Sequence, residues 1–332
     1  MSSLLLRYLS IAVLGIAAPV LAADPGTQQD GLAWLKKMAS ASRQLNYSGT
    51  FVYRHSSQTE TSRIVHFVNT AGGEFEKLAT LDGPAREVIR TNDQVVCYLP
   101  ESKTVLMEKR GKRRFPAMLP DRLTGLPENY TVRVSGVDRV AGHDCQVIVL
   151  EPKDKLRYGH HYCAETHSGL PLRARTFNEN KEPLESFVFT ELTIGGKFNR
   201  DQVKSHYAAK SRDWKVDHSG FPTAEIASDT GWVLTQQPSG FKKLTELKRV
   251  IASRGGAMVS HIVFSDGLAA VSVFIEPLAK SRPAGQSLSH QGAVNIYTRP
   301  IADHMVTVLG ETPASTVMQI ANSLEFRGAS PR

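Results

Sequence analysis

The sequence predicts an α+β chain, mainly antiparallel sheet, in two domains of unequal size. Three observations carry that expectation. Short strand-like segments follow one another at hairpin intervals, separated by Gly, Asn, Asp and Pro. The intervals leave no room for the helices that parallel βαβ units require. A polar, aperiodic stretch near position 200 divides the chain into a longer and a shorter part.

The chain of 332 residues opens with Arg7 and an apolar run over 8–21, ending at Val20-Leu-Ala22. Small or β-branched residues at the −3 and −1 positions mark a secretory signal peptide, 1–22, and the run is too short for a membrane span. No cysteine lies near that site, which argues against a lipid anchor. The expected product is soluble and exported. A formal net charge of +8 suits anionic lipid or an acidic partner. Nucleic acid is a poor candidate outside the cytoplasm.

After the signal peptide, a helix is expected from Asp30 to about Asn46, with Leu32, Leu35, Met38 and Leu45 on one stripe. The period then changes. Strands are read at 49–53, 63–68, 75–81, 87–90 and 94–99, with one more at 103–108. A helical interruption follows around 116–126. Strands resume at 130–140, 144–150, 157–163, 172–177 and 184–192. Residues 195–228 are polar and aperiodic. The second unit begins near Thr230, with strands at 259–264, 268–275, 294–298 and 304–309. A closing helix starts at Pro313, where the first turn tolerates a missing N–H, and buries Val317, Ile320, Ala321 and Leu324. The division expected is a large domain over 23–200, a linker over 201–229 and a small domain over 230–326.

Common local signatures of catalysis are missing: no Gly-x-Ser-x-Gly, His-Glu-x-x-His, Cys-x-x-Cys, P-loop or Gly-x-Gly-x-x-Gly. A binding protein is expected, not an enzyme, and no cofactor. His160-His-Tyr-Cys-Ala-Glu-Thr-His167 has residue types that suit zinc or copper. On a strand, however, His161 and Cys163 point one way while His160 and Tyr162 point the other. A strand leading into the Ser168-Gly169 turn is the preferred reading, with no metal. Lys109, Arg110, Lys112, Arg113 and Arg114 crowd five positive charges into six residues. They form either a solvated loop or a patch for lipid phosphates or another anionic ligand.

Three cysteines, Cys97, Cys145 and Cys163, leave at most one disulfide in an oxidising compartment. A turn centred on Asp154 places Glu151 opposite Arg157 and Cys145 opposite Cys163. Facing Cα atoms about 4.5 Å apart are within reach of a disulfide. A Cys145–Cys163 bridge with Cys97 free is therefore expected, the alternative being three buried thiols.

Several segments together resemble the RseB/MucB family of sigma-E regulators. They are Gly49-Thr-Phe-Val-Tyr53, the run 81–90 (Leu-Asp-Gly-Pro-Ala-Arg-Glu-Val-Ile-Arg), Arg157-Tyr-Gly159, Ser168-Gly-Leu-Pro-Leu172, Pro238-Ser-Gly-Phe241, the run 264–276 and the run 306–313. The resemblance implies a large unclosed β-barrel domain like those of the lipoprotein carriers LolA and LolB, with covering helices and a smaller sheet domain. It implies a periplasmic protein that binds the periplasmic part of an RseA/MucA-type anti-sigma factor. That binding would shield the partner from regulated proteolysis until lipid or lipopolysaccharide releases it. Homo-oligomerisation is left open. The alternative is a LolA-like carrier of lipid or lipoprotein, against which the second domain argues.

Overall fold

The computed structural model describes residues 27–92, 94–109, 119, 123, 125–220, 225–227, 229–251, 257–278 and 285–328. The expected signal peptide and the basic cluster beyond Lys109 lie outside them. Helix α1 (Gln28–Gln44) begins two residues before the expected start at Asp30, because Thr27 and Asp30 form a capping box. Leu35 and Met38 are its deepest residues. Gly31 lets the helix approach the sheet closely, since a Cβ there would sit 2.7 Å from a Val132 methyl.

The large sheet is a run of antiparallel hairpins. One half holds β1 (Tyr47–His55), β2 (Gln58–Val68), β3 (Glu74–Thr80), β4 (Glu87–Thr91), β5 (Gln94–Leu99) and β6 (Thr104–Lys109). After a single helical turn, α2 (Leu126–Asn129), the other half holds β7 (Tyr130–Val140), β8 (His143–Pro152), β9 (Gly159–Glu165), β10 (Pro171–Phe177) and β11 (Pro183–Ile194). Strands β1 and β11 pair in the middle, leaving β7 at one edge, and the sheet does not close. Its core gathers Leu35 and Met38 of α1 with Tyr47, Phe51, Ile148 and Phe189. Most of the helix expected over 116–126 lies outside the described residues, and α2 begins at its last position. Leu119 and Leu123 upstream of it are buried in the same core.

Residues 201–220 of the stretch expected as a linker are folded onto the sheet. Val203, in a 3-10 turn (Arg200–Val203), packs with Phe67, Phe75 and Phe198. Lys77 donates to the Lys204 carbonyl at 3.0 Å, and Glu87 accepts from Ser205 and from the His206 amide. Strand β12 (Lys215–Gly220) then pairs in parallel with β6 and forms the second edge of the large sheet.

The small domain is a seven-stranded antiparallel sheet, β13 (Glu225–Ala227), β15 (Lys242–Ile251), β16 (Ala257–Ser265), β17 (Ala270–Pro277), β20 (His304–Gly310), β19 (Val294–Ile301) and β18 (Ser287–Gln291) in spatial order. Helix α3 (Ala314–Asn322) covers one face. A short ladder, β14 (Trp232–Leu234) with β21 (Leu324–Phe326), completes it. Val317, Ile320, Ala321 and Leu324 are buried as the helical period requires.

Candidate functional site

The two domains meet at a buried seam, built by one loop of the large domain. Between β8 and β9 the carboxylate of Asp154 accepts from the Leu156 amide and, through both oxygens, from the Arg157 guanidinium. That turn aims Arg157 into the small domain. Its Nη1 donates to Asp266 Oδ2 at 2.8 Å and its Nη2 to the Ser239 carbonyl at 2.6 Å. The guanidinium lies over the rings of Tyr130 and Phe241, at 5.8 and 5.2 Å.

Asp266 is equally well matched. Oδ2 also accepts from the Tyr130 hydroxyl, and Oδ1 from the Leu268 and Ala269 amides. Its backbone carbonyl accepts from Asn129 Nδ2 at 3.0 Å. Burial, then the negative charge of Asp266, raises the Tyr130 hydroxyl well above its ordinary pKa, so Tyr130 is a donor at every physiological pH. Gly240 has φ +78°, and a Cβ there would lie 2.1 Å from Asn129 Oδ1. The turn over 238–241 therefore demands glycine twice, for conformation and for space.

Apolar side chains are exchanged across the same seam. Leu268 of the small domain sits in the core of the large one, and Leu156 of the large domain packs on the core of the small one. Thr316 donates to the Leu156 carbonyl at 2.9 Å. A second contact is made by the β18–β19 turn, where the Ala293 amide donates to Glu185 Oε1 at 2.7 Å and Asn295 donates to the Tyr158 hydroxyl. Burial pushes the Tyr158 hydroxyl up to about 12.

Three of the segments singled out in the sequence, 157–159, 238–241 and 264–276, thus converge on one place. Their individual roles were not legible there. Of the residues named as candidates, Lys109 ends β6, and Arg110, Lys112, Arg113 and Arg114 lie outside the described residues. Cys145 and Cys163 are joined by a disulfide, with Cα atoms 5.3 Å apart. Their register differs from the expected one: Cys145 faces Glu165 and Cys163 faces Val147, so the bond runs diagonally on one face. Glu151 accordingly has no place opposite Arg157. It pairs with Arg133 at 3.3 Å. Cys97 keeps its thiol.

The histidine cluster is divided as strand geometry requires. His160 faces the core, where burial holds its pKa down to about 4. His161 lies on the other face, 4.5 Å from the Phe177 ring. No group of three His, Cys, Asp or Glu among the described residues could hold a metal ion.

Comparison with known proteins places this architecture. The family model for the MucB/RseB N-terminal domain matches residues 30–207, and that for the MucB/RseB C-terminal domain matches residues 227–325. The sigma factor AlgU regulatory protein MucB of Pseudomonas aeruginosa is 31% identical over 322 residues, covering 94% of this chain and 96% of that protein. The sigma-E factor regulatory protein RseB of Escherichia coli (strain K12) is 24% identical, covering 90% and 91%. The crystal structure of MucB in complex with MucA(peri) superposes with a TM-score of 0.71 at 29% identity, covering 90% of this chain and all of that one. The crystal structure of MucB alone gives 0.61 over 89% and 98%.

Proposed function

The chain belongs to the MucB/RseB family across both of its domains, and on that premise we propose that it is a periplasmic negative regulator of a sigma-E type envelope-stress response. It binds the periplasmic domain of a membrane-spanning anti-sigma factor and shields that domain from regulated proteolysis. The observation that carries this reading is likeness along nearly the full length to MucB, a protein solved in complex with MucA(peri). The seam supports it, because charges that satisfy one another in a closed joint leave no group poised for chemistry. We therefore read the chain as a binding protein and not an enzyme. The apolar start of the sequence supports export through a signal peptide cleaved near position 22. The basic run from Lys109 to Arg114 supports release by anionic lipid or lipopolysaccharide.

The charged pair at the centre of the seam favours a joint able to open, since separated charges regain water. A ligand that prefers the separated arrangement would then release the partner. The direct test uses the mature full-length protein and a purified MucA-type periplasmic domain. Co-purification, together with slowed proteolysis of that domain, is the expected result. Absence of both would overturn the reading.

A further inference from the structure

A strand at a sheet edge presents unpaired N–H and C=O groups, and proteins blunt such edges with charge, proline, bulges or brevity. The two large sheets here have four edges among the described residues. Strand β7 is broken by a register shift between Val134 and Val137 and carries Arg133, Asp138 and Arg139. Strand β12 is parallel, shifted between Asp217 and Gly220, and carries Lys215 and Asp217. Strand β13 has three residues. Strand β18 is five residues long but has no charge, proline or bulge to protect it. Its sequence, Ser-Leu-Ser-His-Gln, contains no Lys, Arg, Asp, Glu or Pro, its register with β19 is regular, and all five residues are exposed.

The strand is also held in place. At the tip of the β18–β19 hairpin the Ala293 amide is bonded to Glu185, and a Cβ on Gly292 would lie 2.3 Å from Glu185 Oε1 and 3.3 Å from the Cβ of His55. The open edge therefore runs from the domain seam outward into solvent, as a fixed template continuous with that seam.

We propose that β18 is a strand-addition site, and that its occupant is an extended segment of the anti-sigma factor's periplasmic domain. This rests on the partner-binding reading above. Backbone groups in a row select an extended chain and not a helix. Five residues of ladder span about 17 Å. A second copy of this protein is disfavoured as occupant, because two chains of net charge +8 repel. Leu288, half exposed and opposite Tyr297 on the face that carries α3, would pack an apolar residue of the added strand. Ser287, Ser289 and Gln291 on the other face ask only for small or polar neighbours.

The test is amide hydrogen exchange on the mature full-length protein with and without the periplasmic domain of MucA, with affinity measured for the Ser287→Lys, Ser289→Lys double variant. Strand addition predicts that alternate amides within 287–291 slow on binding, and that the two lysines weaken affinity by about tenfold or more without altering the circular dichroism. Binding with β18 unprotected and the lysine variant unimpaired overturns the inference while leaving the partner reading intact. Protection that depends on protein concentration without MucA assigns the edge to self-pairing and overturns it too. No binding by the unmodified protein brings down the partner reading and the inference together.

Discussion

Arg157 and Asp266 stand 109 positions apart in the chain, yet their side chains meet at 2.8 Å with neither accessible to solvent. They are the charged centre of the seam between the two domains. Removing Asp266 strips Arg157 of its fully buried counter-charge and leaves it only the partly exposed Asp154, a loss of about 3 kcal/mol, the lower end for a broken buried pair. Asp266→Ala should therefore lower stability by that order and separate one unfolding transition into two. Chemical unfolding can follow each part, since Trp34 lies in the large domain and Trp232 in the small one. The double variant Arg157→Met, Asp266→Asn, which buries no net charge, should recover part of the loss. A single undisturbed transition in Asp266→Ala would show that the pair does not couple the domains.

How much of this could be read from the sequence depends on how local the cause is. Thr27 and Asp30 lie three residues apart, and α1 follows from them and from its apolar stripe. The hairpins from β1 to β11 follow from strand and turn residues in alternation. Strand β15 was obscured because Lys242, Lys243, Lys248 and Arg249 break the apolar alternation in a strand whose neighbour β13 covers only three positions. Strand β12 was hidden because its partner β6 is over a hundred residues away. The β8–β9 register was misplaced by one residue in turn position. There the loop does more than reverse the chain: Asp154 and Arg157 serve the small domain. The seam itself has no local period: Arg157 reads as a strand residue facing Glu151, and Asp266 as a charge between two strands, until the fold joins them.

The Cys145–Cys163 bond closes a loop of 18 residues, for which chain entropy alone gives about 3 kcal/mol. Reduction, or the variant Cys145→Ala, Cys163→Ala, should lower stability by that order. Mass spectrometry after thiol blocking without reductant should find one labelled cysteine, Cys97. Three labelled cysteines would mean that the bond is absent from the protein.

Stability should fall in two stages on acidification. Burial holds His160 and His261 down to about 4, from an ordinary 6.5. Both are neutral in the fold while the unfolded chain takes up protons, so stability is lost as pH drops from about 6.5 towards 4. Glu165 acts lower. Burial would raise its pKa, but hydrogen bonds from Ser168 and His167 outweigh that and hold it at about 2, below its ordinary 4.5. Its contribution is present above 4.5 and is lost as pH falls towards 2. Melting temperatures measured from pH 7 to 3 should show both stages. His160→Gln should flatten the upper one, and an unchanged upper slope would remove His160 from the account.

The basic run should act through charge. Replacing Lys112, Arg113 and Arg114 with Ser should weaken binding to vesicles containing anionic phospholipid and reduce its sensitivity to salt, since exposed charges are screened within about 8 Å at physiological ionic strength. Far-ultraviolet circular dichroism should not change. Equal, salt-insensitive binding by both proteins would exclude the run from lipid recognition.

Strand β12 sets a limit on how far the joint can travel. Only four residues, 221–224, lie between the end of β12 and the start of β13, a leash of at most about 18 Å. Were β12 to peel from β6, its six residues would add about 20 Å of slack. A small separation of the domains would thus leave the large sheet intact, while a wide one would have to release β12 from β6 or β13 from β15. Were the seam to open, the reach of the two domains would come in two ranges, a short one set by the leash and a longer one reached only when an edge strand gives up its neighbour.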